Sequence, residues 1–269
     1  MKIMTPGPAD DSAVSIERHG RVAHLVLRRP AKLNALDLKA LATIREAISD
    51  VDRDYDVRAV VVRGEGRAFC AGVDLDLTSD ALADAEHIDR IVSDVHLTFS
   101  MIEACRVPVI AAVHGMAVAG GLELVLSCDL AIAARGCRLG DFHARYGLFP
   151  GGGSSQRLPR IIGERRAKWL LLSGELISAE VAAEWGLVNE VVDPDRLLER
   201  SNEMAELLAR RSPLLANAIK NTVRVGADVE LSKALLAERP LFLRYMSSED
   251  ARRGLDAFRD RSEPEFIGR

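Results

Sequence analysis

The stretch PVIAAVHGMAVAGGLE, residues 108–123, decides the fold. An apolar run ends at His114 and Gly115, a second short apolar run follows, and two glycines then open a helical pattern that contains Glu123. The first run has the length and side chains of a buried strand, and small residues after a strand let a ligand approach the backbone closely. The stretch therefore predicts a strand, a close-packed turn and a short helix from Gly120 to Ser127.

The same alternation of strands and helices continues on both sides of this stretch. Upstream, the sequence predicts a hairpin over 14–27, a helix that starts after Asp37, and a strand over 57–62. Strands that alternate with helices are typical of an α/β fold with a largely parallel sheet. Beyond Gly163 helical patterns dominate, and 188–192 is the one strand expected there. The helices expected there cover 164–173, 179–186, 194–211, 213–226 and 228–261.

We divide the chain into three parts. Residues 1–13, with Pro6, Gly7 and Pro8, are expected to form a flexible tail. An α/β core follows over 14–200, and a helical region over 201–269 completes the same unit rather than forming a separate domain.

The composition excludes several classes of function. Of 269 residues, 48% are hydrophobic but only 4% are aromatic, and 36 Lys and Arg face 40 Asp and Glu for a net charge of −4. A chain with few stacking side chains and no basic excess is not expected to bind nucleic acid. It has no apolar run of the roughly 18 residues that a membrane span needs and no signal-peptide pattern, and its four cysteines are widely spaced. We therefore expect a cytoplasmic protein with reduced thiols and no membrane contact.

Sequence motifs for metals and nucleotides are absent. Gly64 and Gly66 match the first two glycines of the nucleotide-binding motif G-x-G-x-x-G, but Phe69 stands in place of the third. No glycine run continues as the phosphate-binding motif G-K-[ST]. The sequence contains no G-x-S-x-G, no H-E-x-x-H and no C-x-x-C. We accordingly expect neither a metal nor an organic cofactor.

Two glycine turns remain as candidate binding elements, RAFCAGVDL at 67–75 and HGMAVAGGLE at 114–123. The first amides of a helix have no acceptor within the helix and point outward as donors. Two such turns could direct two N–H groups at one oxygen and stabilise an oxyanion by about 3 to 4 kcal/mol per donor. The alternative is that both are close-packed turns that bind nothing.

Taken in order along the chain, these stretches resemble the crotonase, or enoyl-CoA hydratase/isomerase, superfamily from about Val14 to Arg269. The matching stretches are RP at 29–30, LNAL at 33–36, AFCAGVDL at 68–75, PVIAAVHG at 108–115, AGGLEL at 119–124, CD at 128–129, GLFPG at 147–151, QRL at 156–158 and GLVNEVV at 186–192.

The resemblance implies a crotonase-type spiral of ββα turns with a helical C-terminal region, usually assembled as a homotrimer or a dimer of trimers. It also implies an acyl-CoA thioester as substrate, with coenzyme A serving only as the carrier. On the family pattern, the amides of Val73 and Gly120 hold the thioester oxygen. The residues that correspond to coenzyme A and substrate contacts are Ala71, Gly72, Asp74, Leu75, Phe258 and Arg261. Because the chain has a net charge of −4 and coenzyme A is anionic, local cations must hold its phosphates, and the other candidates are Arg28, Arg29 and Lys32. Residues from Thr78 to about Val95 are expected to line the acyl pocket.

Enoyl-CoA hydratases divide the acid and base work between two glutamates, and the first corresponds to Glu123. On a helix, Glu123 lies three residues after Gly120 and therefore on the same face, within reach of a ligand at that amide. The alternative is that Glu123 only complements the helix dipole from the first turn.

The second glutamate of the family pattern is replaced by His143 in this sequence. Histidine, with an ordinary pKa of about 6.5, can still donate a proton near neutrality. If the chain is extended there, Asp141 and Arg145 share a face with His143, and Asp141 could orient the ring. The alternative is that His143 packs at the pocket wall while Glu123 works alone.

Three hypotheses follow. The first is a hydratase in which Glu123 positions water and His143, or a second water, delivers the proton. The second is an isomerase or another enolate-forming enzyme in which Glu123 alone shuttles a proton. The third is a coenzyme A thioester binding protein with little turnover. The presence of both glycine turns and of Glu123 favours an enzyme over a binding protein. Of the two enzyme hypotheses we prefer the first, hydration of a 2-enoyl-CoA to a 3-hydroxyacyl-CoA.

Overall fold

A computed structural model describes residues 13–74, 76–77, 84–227 and 229–269 of the chain. The tail expected over 1–13 lies outside these residues except for Ala13. The strands are β1 (Val14–His19), β2 (Val22–Leu27), β3 (Ala59–Gly64), β4 (Val109–Val113), β5 (Met116–Val118), β6 (Leu130–Ala134), β7 (Arg138–Gly140), β8 (Ile177–Ser178) and β9 (Glu190–Val192). The helices are α1 (Leu38–Arg53), α2 (Ala85–Ala104), α3 (Gly120–Ser127), α4 (Ser154–Ile162), α5 (Glu164–Ser173), α6 (Ala179–Glu184), α7 (Leu197–Ala209), α8 (Pro213–Gly226), α9 (Leu231–Met246) and α10 (Glu249–Asp260). Short 3-10 turns cover Pro30–Lys32, His143–Tyr146 and Pro194–Arg196.

The larger sheet has six strands in the order β1-β2-β3-β4-β6-β9. Only the β1–β2 hairpin is antiparallel, and each later pair in the order is parallel. All residues of β2 and β4 are buried, as expected for strands covered on both faces. The prediction of an α/β fold with a largely parallel sheet is confirmed.

A smaller sheet, in the order β5-β7-β8, was not predicted. Its strands contain only two or three residues, too few to show a period of two in the sequence. An isolated parallel bridge between Cys70 and Ala117 brings the first glycine turn to β5, which leads into the second turn. The smaller sheet therefore joins the two glycine turns.

Helices cover both faces of the larger sheet. On one face α1 buries its apolar stripe, and the carboxylate of Asp37 caps this helix by accepting the Ala40 amide at 2.7 Å, which confirms the predicted start. On the other face α7 packs Leu197, Ala205 and Ala209 against the strands. The division that we placed between residues 200 and 201 falls inside α7.

The single helix predicted over 228–261 is wrong. The structure has two helices there, α9 and α10, separated at Ser247 and Ser248. The hydroxyl of Ser248 accepts the Ala251 amide at 3.1 Å and so begins a new helix. Serine caps helices because its side chain can bond the free amides of the first turn, and apolar spacing does not reveal that interruption.

The four cysteines have free thiols, three of them buried, and burial raises the pKa of the Cys70 thiol to about 12. Within the described residues, no helix combines the length and the apolarity needed to cross a bilayer.

Candidate active site

The second glycine turn places Gly120 at the first position of α3. The chain leaves β5 through Ala119, whose φ of 51° and ψ of −124° are rare for a residue with a side chain. The bend directs the chain abruptly into the helix, and the first helical amides lack acceptors within it. The Gly120 N–H is therefore available to a ligand.

The first glycine turn brings a second amide to the same place. Leu36 donates to the Gly72 carbonyl and accepts from the Asp74 amide, both at 2.8 Å, so the Val73 amide points to the other side. A Cβ added to Gly120 would lie 3.0 Å from the Val73 nitrogen. Among the described residues, neither the Val73 nor the Gly120 amide donates to a backbone carbonyl. The two neighbouring N–H groups can thus share one acceptor.

Close contact between the turns explains the second glycine of the pair. A Cβ on Gly121 would lie 2.1 Å from the Cys70 carbonyl oxygen, which is far inside van der Waals contact. Any side chain at this position would push the turns, and with them the two amides, apart.

Glu123 lies on α3 with only 2% of its surface exposed. Its Oε1 accepts the Ser154 amide at 3.0 Å, and Ser154 is the first residue of α4. The carboxylate therefore sits at the N-terminus of a second helix, where free amides favour negative charge. Burial nevertheless raises the pKa of Glu123 above its ordinary value, against the opposing effects of the Ser154 amide and of His143. A carboxylate in this setting is a competent general base.

His143 begins a 3-10 turn next to this carboxylate. Its Nδ1 lies 2.9 Å from Oδ1 of Asp141, so the two side chains are hydrogen-bonded. Burial lowers the pKa of His143, but the hydrogen bond with Asp141 and the negative charges of Asp141 and Glu123 outweigh it and leave the pKa above its ordinary value. The ring can therefore hold a proton near neutrality.

The backbone over 141–145 is not extended, so the condition under which Asp141 and Arg145 would share a face with His143 is not met. Phe142 has a φ of 66°, which turns the chain into the 3-10 turn. Arg145 consequently does not share a face with His143, because its Nη2 donates to Glu175 at 3.1 Å and its guanidinium lies over the Phe142 ring.

The loop that leads to Ser154 was missed as part of the site. Arg157 bonds both oxygens of Glu103, at 2.6 and 3.1 Å, and donates through Nη1 to the Gly152 carbonyl at 2.8 Å. The ion pair fixes the loop that presents the Ser154 amide to Glu123. The sequence signal that could have revealed this loop is the glycine run before α4, because the first amides of a helix are free to donate hydrogen bonds.

The candidate coenzyme A residues next to the first turn form a network of ion pairs. Lys32 donates to Asp76 at 2.6 Å and to Asp74 at 3.3 Å, and Asp74 also accepts from Arg29 at 2.9 Å. Asp74 is 7% exposed, and although burial opposes it, the Arg29 hydrogen bond lowers the pKa of Asp74. The network ties the 29–32 segment to the turn that carries Val73.

The other candidates are divided between this region and the C-terminus. Ala71 donates to the Leu33 carbonyl at 3.0 Å, beside Gly72. Phe258 is 84% exposed on α10, and Arg261 ends that helix. Between described residues, no hydrogen bond or ion pair joins Phe258 or Arg261 to the two glycine turns or to Glu123. Leu75 and the pocket segment over 78–83 lie outside the described residues.

Comparison with known proteins agrees with this geometry. The family model described as enoyl-CoA hydratase/isomerase matches residues 17–269. A probable enoyl-CoA hydratase of Mycobacterium tuberculosis is 36% identical over 256 residues, 95% of this chain and 98% of that protein. The 2,3-dehydroadipyl-CoA hydratase of Escherichia coli is 34% identical over 258 residues, 96% of this chain and all of that protein.

A solved enoyl-CoA hydratase from Bacillus anthracis has a TM-score of 0.90 and 34% identity, over 96% of this chain and 100% of that one. The likeness identifies the fold as the crotonase type. The chain belongs to the enoyl-CoA hydratase/isomerase family.

Proposed function

We propose that this protein hydrates a 2-enoyl-CoA to a 3-hydroxyacyl-CoA. One observation carries the proposal: the Val73 amide of the first glycine turn and the Gly120 amide of α3 are neighbours, and α3 also carries a buried carboxylate, Glu123, on which the charge of His143 acts. The names of the relatives support the same reaction class.

In this mechanism the Val73 and Gly120 amides bind the thioester oxygen. Their N–H groups draw electron density toward the oxygen and stabilise the enolate that develops when a nucleophile adds to C3. Each donor is worth about 3 to 4 kcal/mol in the transition state.

Glu123 and His143 supply the base and the acid. The Glu123 carboxylate takes a proton from water while the water oxygen forms a bond to C3. The imidazolium of His143 gives its proton to C2 as the enolate collapses to the thioester. Return of a proton from Glu123 to His143 restores both groups, and the net change is the addition of one water.

The direct test is incubation of the purified protein with crotonyl-CoA. Hydration removes the conjugated enone, so we expect its ultraviolet absorbance to decay and 3-hydroxybutyryl-CoA to appear by mass spectrometry. If a series of enoyl-CoA chain lengths shows no decay, the protein is not a hydratase.

The proposed roles of Glu123 and His143 predict a bell-shaped pH profile for kcat/KM. Activity falls as the pH drops and Glu123 is protonated, and burial places this limb above the ordinary glutamate pKa of about 4.3. Activity falls again as the pH rises and His143 loses its proton, above the ordinary value of about 6.5. Initial rates measured from about pH 4 to 10 check both limbs, and a flat alkaline side contradicts the role of His143.

Replacing His143 by Ala is expected to lower kcat by about 10²-fold and to abolish the alkaline limb, since general acids contribute roughly 10² to 10⁴. Replacing it by Glu, the family residue, is expected to restore part of the rate. If His143→Ala keeps the wild-type kcat and pH profile, His143 is a packing residue and Glu123 acts alone, as in the isomerase hypothesis.

We propose that Lys32, Ala71, Gly72, Asp74 and Leu75, with Phe258 and Arg261, contact the coenzyme A part of the substrate. Lys32 is half-exposed, and Ala71 and Gly72 lie directly before the Val73 amide.

Neutralising Lys32 or Arg261 by substitution with Gln is expected to weaken the binding of free coenzyme A roughly fivefold, the effect of one exposed charge pair of about 1 kcal/mol. The salt dependence of binding becomes shallower because one cation fewer meets the phosphates. Calorimetry at several salt concentrations measures both, with Lys168→Gln on α5 as the control. If neither variant changes binding, the phosphates are held elsewhere.

We also propose assembly as a homotrimer or a dimer of trimers. Helices α8 and α9 bury no residue within the chain and expose many apolar side chains. Exposed apolar side chains in this number are typical of an interface. The exposed side chains include Ile219, Val223, Leu231, Leu235, Leu236 and Phe242. Light scattering should give three or six times the mass of one chain, and the mass of a single chain would overturn this proposal.

We also propose that the reaction needs no metal or organic cofactor, because side chains and backbone amides supply the acid, the base and the oxyanion donors. Unchanged turnover after dialysis against a chelator tests it for metals. The cytoplasmic location and the lack of a nucleic-acid partner stay predictions from the sequence.

A further inference from the structure

Asp141 has an unusual environment for a carboxylate. It follows β7 and is fully buried, with 0% of its surface exposed. Its Oδ1 is 2.9 Å from Nδ1 of His143, and its Oδ2 has no hydrogen-bond partner among the described residues. The imidazole is therefore the one side chain in this part of the structure that neutralises a buried negative charge.

This contact determines which ring nitrogen carries which proton. Because a carboxylate oxygen only accepts, Nδ1 must donate, and the ring keeps its Nδ1 proton in both the charged and the neutral form. The proton gained and lost is then the one on Nε2, at the far side of the ring from Asp141. A ring held in this way cannot flip to present the wrong nitrogen.

We propose that Asp141 is a positioning residue that fixes the orientation and the tautomer of His143, so that Nε2–H is the acid that reaches C2 of the substrate. This inference rests on the proposed hydration, in which His143 is the acid. The sequence replaces the family glutamate by a pair, an acid at 143 and its orienting carboxylate at 141.

The charges around the ring agree with this assignment. Asp141 and Glu123 are the charged groups that act on His143, from the β7 end and from α3 respectively. In the same 3-10 turn, Arg145 is directed away to Glu175. Among the described residues, no Lys or Arg forms an ion pair with Asp141 or Glu123, and His143 is the group paired with Asp141.

On α5, which packs against this turn, two of the cations have partners other than His143, Asp141 and Glu123. Lys168 pairs with Glu164, and the Arg166 guanidinium lies over the Trp185 ring. The proton on His143 therefore depends on Asp141 and Glu123.

The test is Asp141→Asn, which keeps the shape and removes the charge. We expect the His143 ring to titrate about one pH unit lower, since a carboxylate within hydrogen-bond distance shifts a pKa by roughly 1 to 3 units. We also expect the 15N shifts of the ring to show loss of the single Nδ1–H tautomer. In kinetics, kcat falls at least tenfold with little change in KM, and the alkaline limb moves to lower pH.

The matched control is Glu175→Gln, which neutralises a carboxylate bonded to the same turn through Arg145. It should leave the His143 titration and kcat unchanged. In a His143→Ala background, Asp141→Asn should cause no further loss of kcat. A loss of the same size in both backgrounds shows a merely structural role and overturns the proposal.

The ring titration separates the two hypotheses. If Asp141→Asn leaves the His143 titration and tautomer unchanged while the variant stays folded by circular dichroism, Asp141 does not position the ring. If the titration shifts but His143→Ala retains full kcat, the positioning stands and the acid role under the proposed function fails.

Discussion

Glu123→Gln is expected to lower kcat by about 10³-fold, the largest loss of any single side chain, because it removes the base that activates water. The amide has nearly the same shape and can still accept the Ser154 N–H through its oxygen, so α3 and α4 should keep their contact. Binding of a saturated acyl-CoA, measured by calorimetry, should stay within a few-fold of wild type. Stopped-flow or steady-state assays with crotonyl-CoA measure the rate.

A suitable control is Glu164→Gln, an exposed carboxylate at the start of α5 that pairs with Lys168. It should leave kcat and binding unchanged. Full turnover in Glu123→Gln would show that the base is another group, and loss of ligand binding together with rate would show a damaged fold rather than missing chemistry.

Gly120→Ala is expected to lower kcat by about 10²-fold, the effect of weakening one oxyanion donor. The added Cβ would lie 3.0 Å from the Val73 nitrogen and 3.2 Å from the Gly72 Cα, so the turns must separate by a few tenths of an ångström. The two amides then no longer converge on one oxygen. The lost hydrogen bonding destabilises the transition state most, because the negative charge on that oxygen is greatest there. We therefore expect kcat to change more than KM.

Gly254→Ala on α10 is the matched control, since its Cβ would meet its nearest neighbour, Phe266, at an ordinary 3.7 Å. It should leave kcat unchanged and raise helix stability slightly, because alanine is the better helix former. A wild-type kcat in Gly120→Ala would place the oxyanion donors elsewhere.

Local spacing in the sequence was enough to predict the elements that carry Gly120 and Glu123. The strand and the helix of 108–127 were predicted nearly at their true bounds, since a strong apolar run and a glycine pair lie close together there, whereas β5 between them was predicted as part of a turn. The three-residue spacing of Gly120 and Glu123 is a property of any helix, and it needs no tertiary information.

Features that depend on distant contacts or on rare backbone angles could not be predicted. Ser154 lies 31 residues from Glu123 and contributes a backbone amide, which leaves no side-chain signature. From the sequence, Asp141 could orient His143 if the chain were extended, yet the two side chains meet where the positive φ of Phe142 leads into a 3-10 turn. A positive φ is uncommon for a residue with a side chain, so a phenylalanine in the sequence does not indicate it.

The Arg157–Glu103 ion pair connects α2 to the loop that supports Glu123. Gly151 and Gly152 of that loop face Val92 and Val95 of α2, a helix in the segment expected to line the acyl pocket. On the proposed function, we therefore expect selectivity for the acyl chain and the rate of proton transfer to be mechanically linked. Substitutions in α2 that admit a different acyl chain are expected to shift the loop that supports Glu123. A change of acyl substrate would therefore require compensating substitutions in that loop.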